Sequence, residues 1–273
     1  MLNYSFGRWL GNPTEQPGYN IIEPDNVPDL YVWHDLTQHV GSDGDNIYDL
    51  LDYSGYGTAH NAYILADYGH VPQYKIKILN GSPAMLLSDG VATRNLYLPA
   101  TISSDLSGSA GLTVFIVCKT TNTTLQRIYQ TTVRSSTVKV ALHLEASTGK
   151  LQYYIRTKNG DSALLVKSAT SQGIDWGLWV ADTDLSTATS RIWSNDTDTA
   201  DATTTNMGLG LSATFSNEAG TDVIYRTISG DPTAAPAPYP FYGYLGEIII
   251  YNRKLSDTER TGVRNYILTK WGL

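Results

Sequence analysis

The chain has 273 residues, a length that suits one large all-β domain or two small ones, with one main core expected; only 16% of it is charged, while Tyr (19) and Trp (6) are plentiful. A formal net charge of -7 with no basic run argues against a nucleic-acid surface, which needs a basic patch to meet phosphates. Cys118 is the only cysteine, so internal disulfides and cysteine-rich zinc sites are excluded, and its place in the run LTVFIVCK marks a small buried hydrophobe rather than a nucleophile.

Residues 1–27 carry Pro13, Pro17 and Pro24 among glycines and show no sustained periodicity, so they read as an extended N-terminal arm. Tyr4, Phe6 and Leu10 alternate, but Arg8 interrupts that face and Trp9 points to the other. These apolar side chains need a surface, either the chain's own sheet or a neighbouring subunit. The segment lacks a basic region followed by a continuous apolar one, and no stretch reaches about 18 apolar residues. The expectation is a chain made without a conventional export signal and without membrane insertion.

From residue 112 onward, apolar runs and turn signals recur at the spacing of a sandwich. The strands are LTVFIVCK, TVKVALHLEA, KLQYYIRT, ALLVKSA, DWGLWVAD, SRIWS, DVIYRTIS and YLGEIIIYN. A two-residue turn at Thr148-Gly149 would set Leu144 opposite Tyr153 and Leu142 opposite Ile155 on one face. The other face would pair Glu145 with Gln152, His143 with Tyr154 and Ala141 with Arg156. An Asn-Gly signal in KNGD then leads into ALLVKSA, making a three-strand meander.

Near the end, Ile248, Ile249, Ile250 and Tyr251 form a continuous apolar run, the pattern of a strand covered on both faces. Ser256 followed by Glu259 is a capping-box pattern, and Asp257 adds negative charge to the first turn. Val263, Tyr266, Ile267 and Trp271 fall on one helical face before a stop at Gly272. The spacing predicts a helix over 257–271 that serves as the cover.

The closing residues GEIIIYNRKLSDTERTGVRNYILTKWGL resemble the C-terminal signature of concanavalin A-like, laminin-G-like jelly-roll domains of the bacterial and phage type. That signature is a strand reading roughly G-x-I-x-E-v-i-i-Y-n-R-x-L-S-d-x-E-r, then a helix ending K-W-G-L. Upstream, PDLYVWHDL is similar to the family's opening strand and LLDYSGYGTAHNA to its D-x-S-G-x-G-x-x-n-a turn. VPQY with NGSPAMLLSDG looks like the next element, and LTVFIVCK like the central strand. The resemblance covers residues 28–273, is carried by both ends, and is merely compatible between 120 and 230; the arm lies outside it. It implies an all-β fold, a two-sheet antiparallel β-sandwich of jelly-roll type with a short C-terminal helix and often a concave outer surface.

The fold family includes glycoside hydrolases, and a retaining enzyme needs two carboxyls about 5–5.5 Å apart. The hydrolase branch resembles E-x-D-x-E or E-x-D-x-x-E, and neither occurs here; Glu145 has no carboxylate two residues away, and Glu247 takes a structural position in the family pattern. There is no G-x-S-x-G elbow, and His34, His39, His60, His70 and His143 sit in no catalytic context, most of them expected at the surface or in turns. The expectation is a non-enzymatic chain that requires no cofactor. Calcium is the one ion with candidate ligands: Asp43, Asp45 and Asp49 in GSDGDNIYD, and Asp196, Asp198 and Asp201 in NDTDTAD. Neither group matches the full calcium-loop pattern, and the same residues are ordinary turn formers. Sugar sites combine an aromatic platform with planar hydrogen-bonding groups, which the polar face of His143, Glu145, Gln152, Tyr154 and Arg156 offers. Any solvated sheet face of a Tyr-rich protein shares that composition.

Two classes of function follow. The first is a virion structural protein on the exterior of a phage particle, as capsid decoration or tail-associated, assembled in the host cytoplasm. Residues 1–27 would anchor it to capsid or tail partners, and a homo-oligomer is expected. That reading leans on the family's occurrence among phage structural proteins, which is analogy. The alternative is a stand-alone carbohydrate-binding module or adhesin that recognises host-surface polysaccharide, and the two can coexist. Glycoside hydrolysis ranks third.

Overall fold

The computed structural model describes residues 20–64, 71–88, 94–98, 108–122, 124–133, 137–145, 148–157, 164–172, 174–195, 200–205, 215, 224–230 and 239–273. Among these the strands are β1 (Leu30–Asp35), β2 (Asp49–Leu50), β3 (Ala62–Tyr63), β4 (Gln73–Leu79), β5 (Ser82–Ser88), β6 (Leu96–Leu98), β7 (Gly111–Thr120) and β8 (Gln126–Val133). They continue with β9 (Thr137–Leu144), β10 (Lys150–Ile155), β11 (Leu164–Ser171), β12 (Trp176–Asp184), β13 (Thr189–Ser194), β14 (Ala202–Thr205), β15 (Ile224–Ile228) and β16 (Gly243–Tyr251), and the chain closes with α1 (Asp257–Trp271). One antiparallel sheet runs β14-β13-β12-β7-β16-β5-β4, with β1 also paired to β16; the other runs β11-β10-β9-β8-β15-β6-β3-β2. The expected two-sheet antiparallel sandwich with a C-terminal helix is the fold of this chain. The single described α-helix is not long and apolar enough to cross a membrane.

Alternation explains the layering. Along β7, Val114, Ile116 and Cys118 pack inward with Ile248 and Ile250 of β16 and with Leu142, Leu144, Tyr153 and Ile155 of the second sheet. Cys118 is fully buried and burial raises its thiol pKa, in keeping with a packing role. Phe115 and Val117, with Ile249 and Tyr251, point the opposite way, into a second apolar cluster closed by Val263, Ile267, Leu268 and Trp271. The continuous apolar run of β16 therefore has a cover on each face, as the sequence predicts.

Local signals place that cover. Ser256 accepts from the Glu259 backbone N–H over 3.2 Å, and the Glu259 carboxylate accepts from the Ser256 N–H over 2.9 Å. Gly272 takes the left-handed conformation at φ 65°, and Asn80 Nδ2 donates to the carbonyls of Trp271 (2.8 Å) and Gly272 (2.9 Å), tying the helix end to the β4–β5 turn. Gly246 forms a bulge in β16, where a Cβ would lie 2.8 Å from the Trp271 ring, so glycine is what lets the indole settle. Beside it, buried Glu247 accepts from Trp33 Nε1 (2.7 Å), Trp271 Nε1 (2.6 Å) and Lys270 Nζ (2.9 Å). Lys270 also pairs with Asp35 at 2.6 Å. Burial pushes the Glu247 carboxyl up, against the opposing pull of Lys270.

Residues 20–27 lie along this helix rather than apart from it. Asn265 Nδ2 donates to Asn20 O (2.9 Å), Ile22 N–H to Gly262 O (3.1 Å), and the Tyr251 hydroxyl to Pro24 O (3.0 Å), while Val27 is buried. Tyr4, Phe6, Trp9 and Leu10 lie outside the described residues.

Three expectations need correction. The β9–β10 pairing sets Leu144 opposite Leu151, His143 opposite Gln152 and Ala141 opposite Tyr154, two residues away from the predicted register. The cause is a longer connection: Glu145 N–H donates to Lys150 O and Gly149 N–H to Glu145 O, with Gly149 at φ 62°. Second, β8 was not among the nominated strands; a bulge at Ile128 sends both Ile128 and Tyr129 into the core and erases the alternation that marks a strand. Third, His34 is a buried residue of β1 rather than a surface or turn residue; His60 does lie in a turn but is buried too, and Nδ1 of each meets a backbone carbonyl, Leu51 O at 2.8 Å and Tyr31 O at 2.7 Å. Desolvation lowers the His34 pKa.

Candidate functional site

The outward face of β8–β11 gathers the polar groups predicted for a binding site. Because Val140, Leu142 and Leu144 of β9 and Leu151, Tyr153 and Ile155 of β10 fill the core, Ala141 and His143, and Gln152 and Tyr154, must face out. The two-residue register shift preserves this assignment, since side-chain direction repeats every second residue. His143, Gln152, Tyr154 and Arg156, with Arg127, Ala141 and Leu165, line a cavity of about 400 Å³, within the range of small-molecule sites.

His143 sits between two strands, opposite Gln152 on β10 and Arg127 on β8. Its Nε2 donates to Gln152 Oε1 over 2.8 Å, leaving Nδ1 as an acceptor that has no partner among the described residues. Burial pushes the imidazole pKa down to about 4, with Arg127 and Lys167 adding to the shift, so the ring is neutral at neutral pH. Arg156 places its guanidinium 5.6 Å from the centre of the Tyr154 ring, and its Nε is shielded from water without a hydrogen bond. Arg127 donates to Gln130 Oε1 over 2.7 Å and lies 4.8 Å from the centre of the Tyr239 ring.

Glu145, unlike the other four predicted residues, does not line the cavity, although Gln152 is among the groups that hold its carboxyl down. It lies at the edge of the face, where Lys167 pairs with it and the Thr148 hydroxyl donates to it over 2.7 Å. These hydrogen bonds, Lys167 first, hold its carboxyl down at about 2. Three lining residues lie outside the predicted set, Ala141, Leu165 and Arg127; Arg127, the charged one, was missed because the bulged strand that carries it shows no alternation, and the β-branched and aromatic content of QRIYQTTV is the signal that marks it.

The acidic loops hold no assembled ion site among the described residues, where no group of three or more His, Cys, Asp or Glu converges. Asp43 accepts from the Ile76 N–H (3.2 Å) and Asp45 from the Ser42 N–H (2.7 Å), the work of turn formers, while Asp49 belongs to β2. Asp201 accepts from the Ser194 hydroxyl, and Asp196 and Asp198 lie outside the described residues.

No family model and no curated protein matches the chain. Its fold is similar to Domain 4 of AbnA, a GH43 extracellular arabinanase from Geobacillus stearothermophilus, in complex with arabinotriose: 13% identity, TM-score 0.51, 86% of this chain and 98% of that one. It is similar also to a structure of botulinum neurotoxin type C, whose cell entry is dependent upon interaction with two ganglioside molecules (11% identity, TM-score 0.55, 87% of this chain and 51% of that one). The binding domain of botulinum neurotoxin DC in complex with SialylT matches at 10% identity and TM-score 0.53, over 87% of this chain and 51% of that one. The chain thus spans about half the length of the neurotoxin structures. At such identities the likeness is one of fold: the same kind of β-sandwich.

Proposed function

We propose that the chain is a carbohydrate-binding module or adhesin whose site is the outer face of β8–β11. The observation that carries this reading is the cavity itself: an aromatic ring, Tyr154, beside the planar polar side chains of His143, Gln152 and Arg156, with no hydrogen bond to the Arg156 guanidinium among the described residues. Planar rings with nearby planar donors and acceptors suit the stacked, hydroxyl-rich surface of a sugar. Similar folds in complex with arabinotriose and with SialylT, and a third tied to gangliosides, support the same class of ligand. The proposed action is binding without bond cleavage. No carboxylate lines the cavity among the described residues, and the nearby Glu145 is engaged by Lys167 and Thr148, whereas glycoside hydrolysis calls for a carboxyl pair.

The virion reading yields first place. Its anchor would be residues 1–27, whose apolar side chains Tyr4, Phe6, Trp9 and Leu10 lie outside the described residues. The test of the glycan reading is a glycan array probed with the full chain, with calcium in the buffer so that an ion-dependent site is not missed. Binding to a defined set of oligosaccharides, lost when the outer face is altered, is the expected result. A blank array overturns the proposal.

A further inference from the structure

Resting on that reading, we infer that the ligand is an acidic glycan, a sugar bearing a carboxylate that docks on Arg156. The protein as a whole carries a net charge of -7, yet the cavity lining holds two guanidinium groups and, among the described residues, no carboxylate. A neutral sugar would not call for that inversion of charge. Glu145, the carboxylate on the same face, is engaged by Lys167 and Thr148 and makes no ion pair with Arg156.

The two arginines differ in what they have left to offer. Arg127 is held by Gln130 and by the Tyr239 ring, so it contributes fixed positive potential. Arg156 has no hydrogen bond or ion pair among the described residues; only the ring of Tyr154 orients it. A guanidinium presents parallel N–H donors in a rigid fork that matches both oxygens of a carboxylate, while a sugar hydroxyl engages it at a single point. His143 lines the same cavity with its Nε2 bound to Gln152 and its Nδ1 shielded from water, so the charged recognition rests on Arg156.

The experiment is titration of the full chain with sialyllactose and trigalacturonate against lactose and maltotriose, read by calorimetry and by chemical shifts of His143 and Tyr154, for the wild type and for Arg156→Gln. The wild type is expected to favour an acidic sugar by roughly tenfold or more, the scale of one charge-assisted hydrogen-bond pair. Arg156→Gln should remove that preference, and Arg156→Lys should restore only part of it, because a lysine keeps the charge but not the fork. Equal affinity for acidic and neutral sugars at this face overturns the acidic ligand and leaves the glycan site standing. Acidic binding that is indifferent to Arg156→Gln, or that shifts resonances elsewhere, also overturns it. Silence of the face toward every sugar removes both readings together.

Discussion

Two clusters of aromatic rings and basic side chains sit on the two sheets and meet opposite ends, one closed around carboxylates and the other lining a cavity without one among the described residues. Around Glu247, both carboxylate oxygens are used: Trp33 and Lys270 take one and Trp271 the other, while Lys270 bridges to Asp35. The cluster is buried and joins β1, β16 and α1. On the outer face of β8–β11, His143, Tyr154 and Arg156 line an open cavity, and the Arg156 guanidinium has no hydrogen-bond partner among the described residues. The difference separates structure from function in a way residue type alone does not. A polar group whose bonds close inside the molecule contributes to the fold, and one that lines a cavity with bonds left to make can serve a ligand.

The sharpest way to break the comparison is Glu247→Ala. It removes the acceptor of two indole N–H groups and leaves Lys270 with Asp35 alone, so about 3–5 kcal/mol of stability should be lost, by the general cost of breaking a buried charge network. Denaturant unfolding followed by tryptophan fluorescence measures it. A loss below about 1 kcal/mol would mean that the closed cluster is no more structural than the open one.

The next effect depends on pH. His143 has an ordinary value of 6.5 and is pushed down to about 4 in the fold, so between these values the unfolded chain binds the proton and the folded chain does not. Its contribution is therefore full above pH 6.5 and lost as pH falls toward 4, by about 3 kcal/mol at most. His143→Gln, which keeps an amide donor toward Gln152, should flatten the stability profile over that window. An unchanged profile would place the imidazole in water and reopen the description of the cavity floor.

A smaller effect falls on the helix that completes the closed cluster: Ser256→Ala removes the acceptor of the Glu259 N–H and should cost about 1 kcal/mol. That helix was readable from sequence because its signals are local. The cap, the apolar spacing and the glycine stop all lie within residues 256–272. The faces of β9 and β10 were readable for the same reason, since a two-residue slip changes every partner but no side chain's direction. What escaped depends on distant backbone or on irregularity. The burial of His34 and His60 rests on carbonyls at Leu51 and Tyr31, far along the chain, and Arg127 came into the site through a bulge that periodicity hides. The charge inversion of the cavity was likewise invisible, because it depends on Lys167 reaching across to engage Glu145.

The least effect on stability, and the largest on binding, is expected at Tyr154. Its ring is half-buried, faces out of the sheet and meets the Arg156 guanidinium, so Tyr154→Ala removes little from the core and should change stability by less than about 1 kcal/mol. The same change strips the cavity of its ring and lets Arg156 swing free, so affinity for a bound glycan should fall by about tenfold or more. Measured side by side with Glu247→Ala, the two variants should exchange roles, one unstable, the other folded and blind to sugar. If Tyr154→Ala instead unfolds as readily as Glu247→Ala, the outer face is part of the scaffold, and its spare donors and acceptors no longer argue for a ligand.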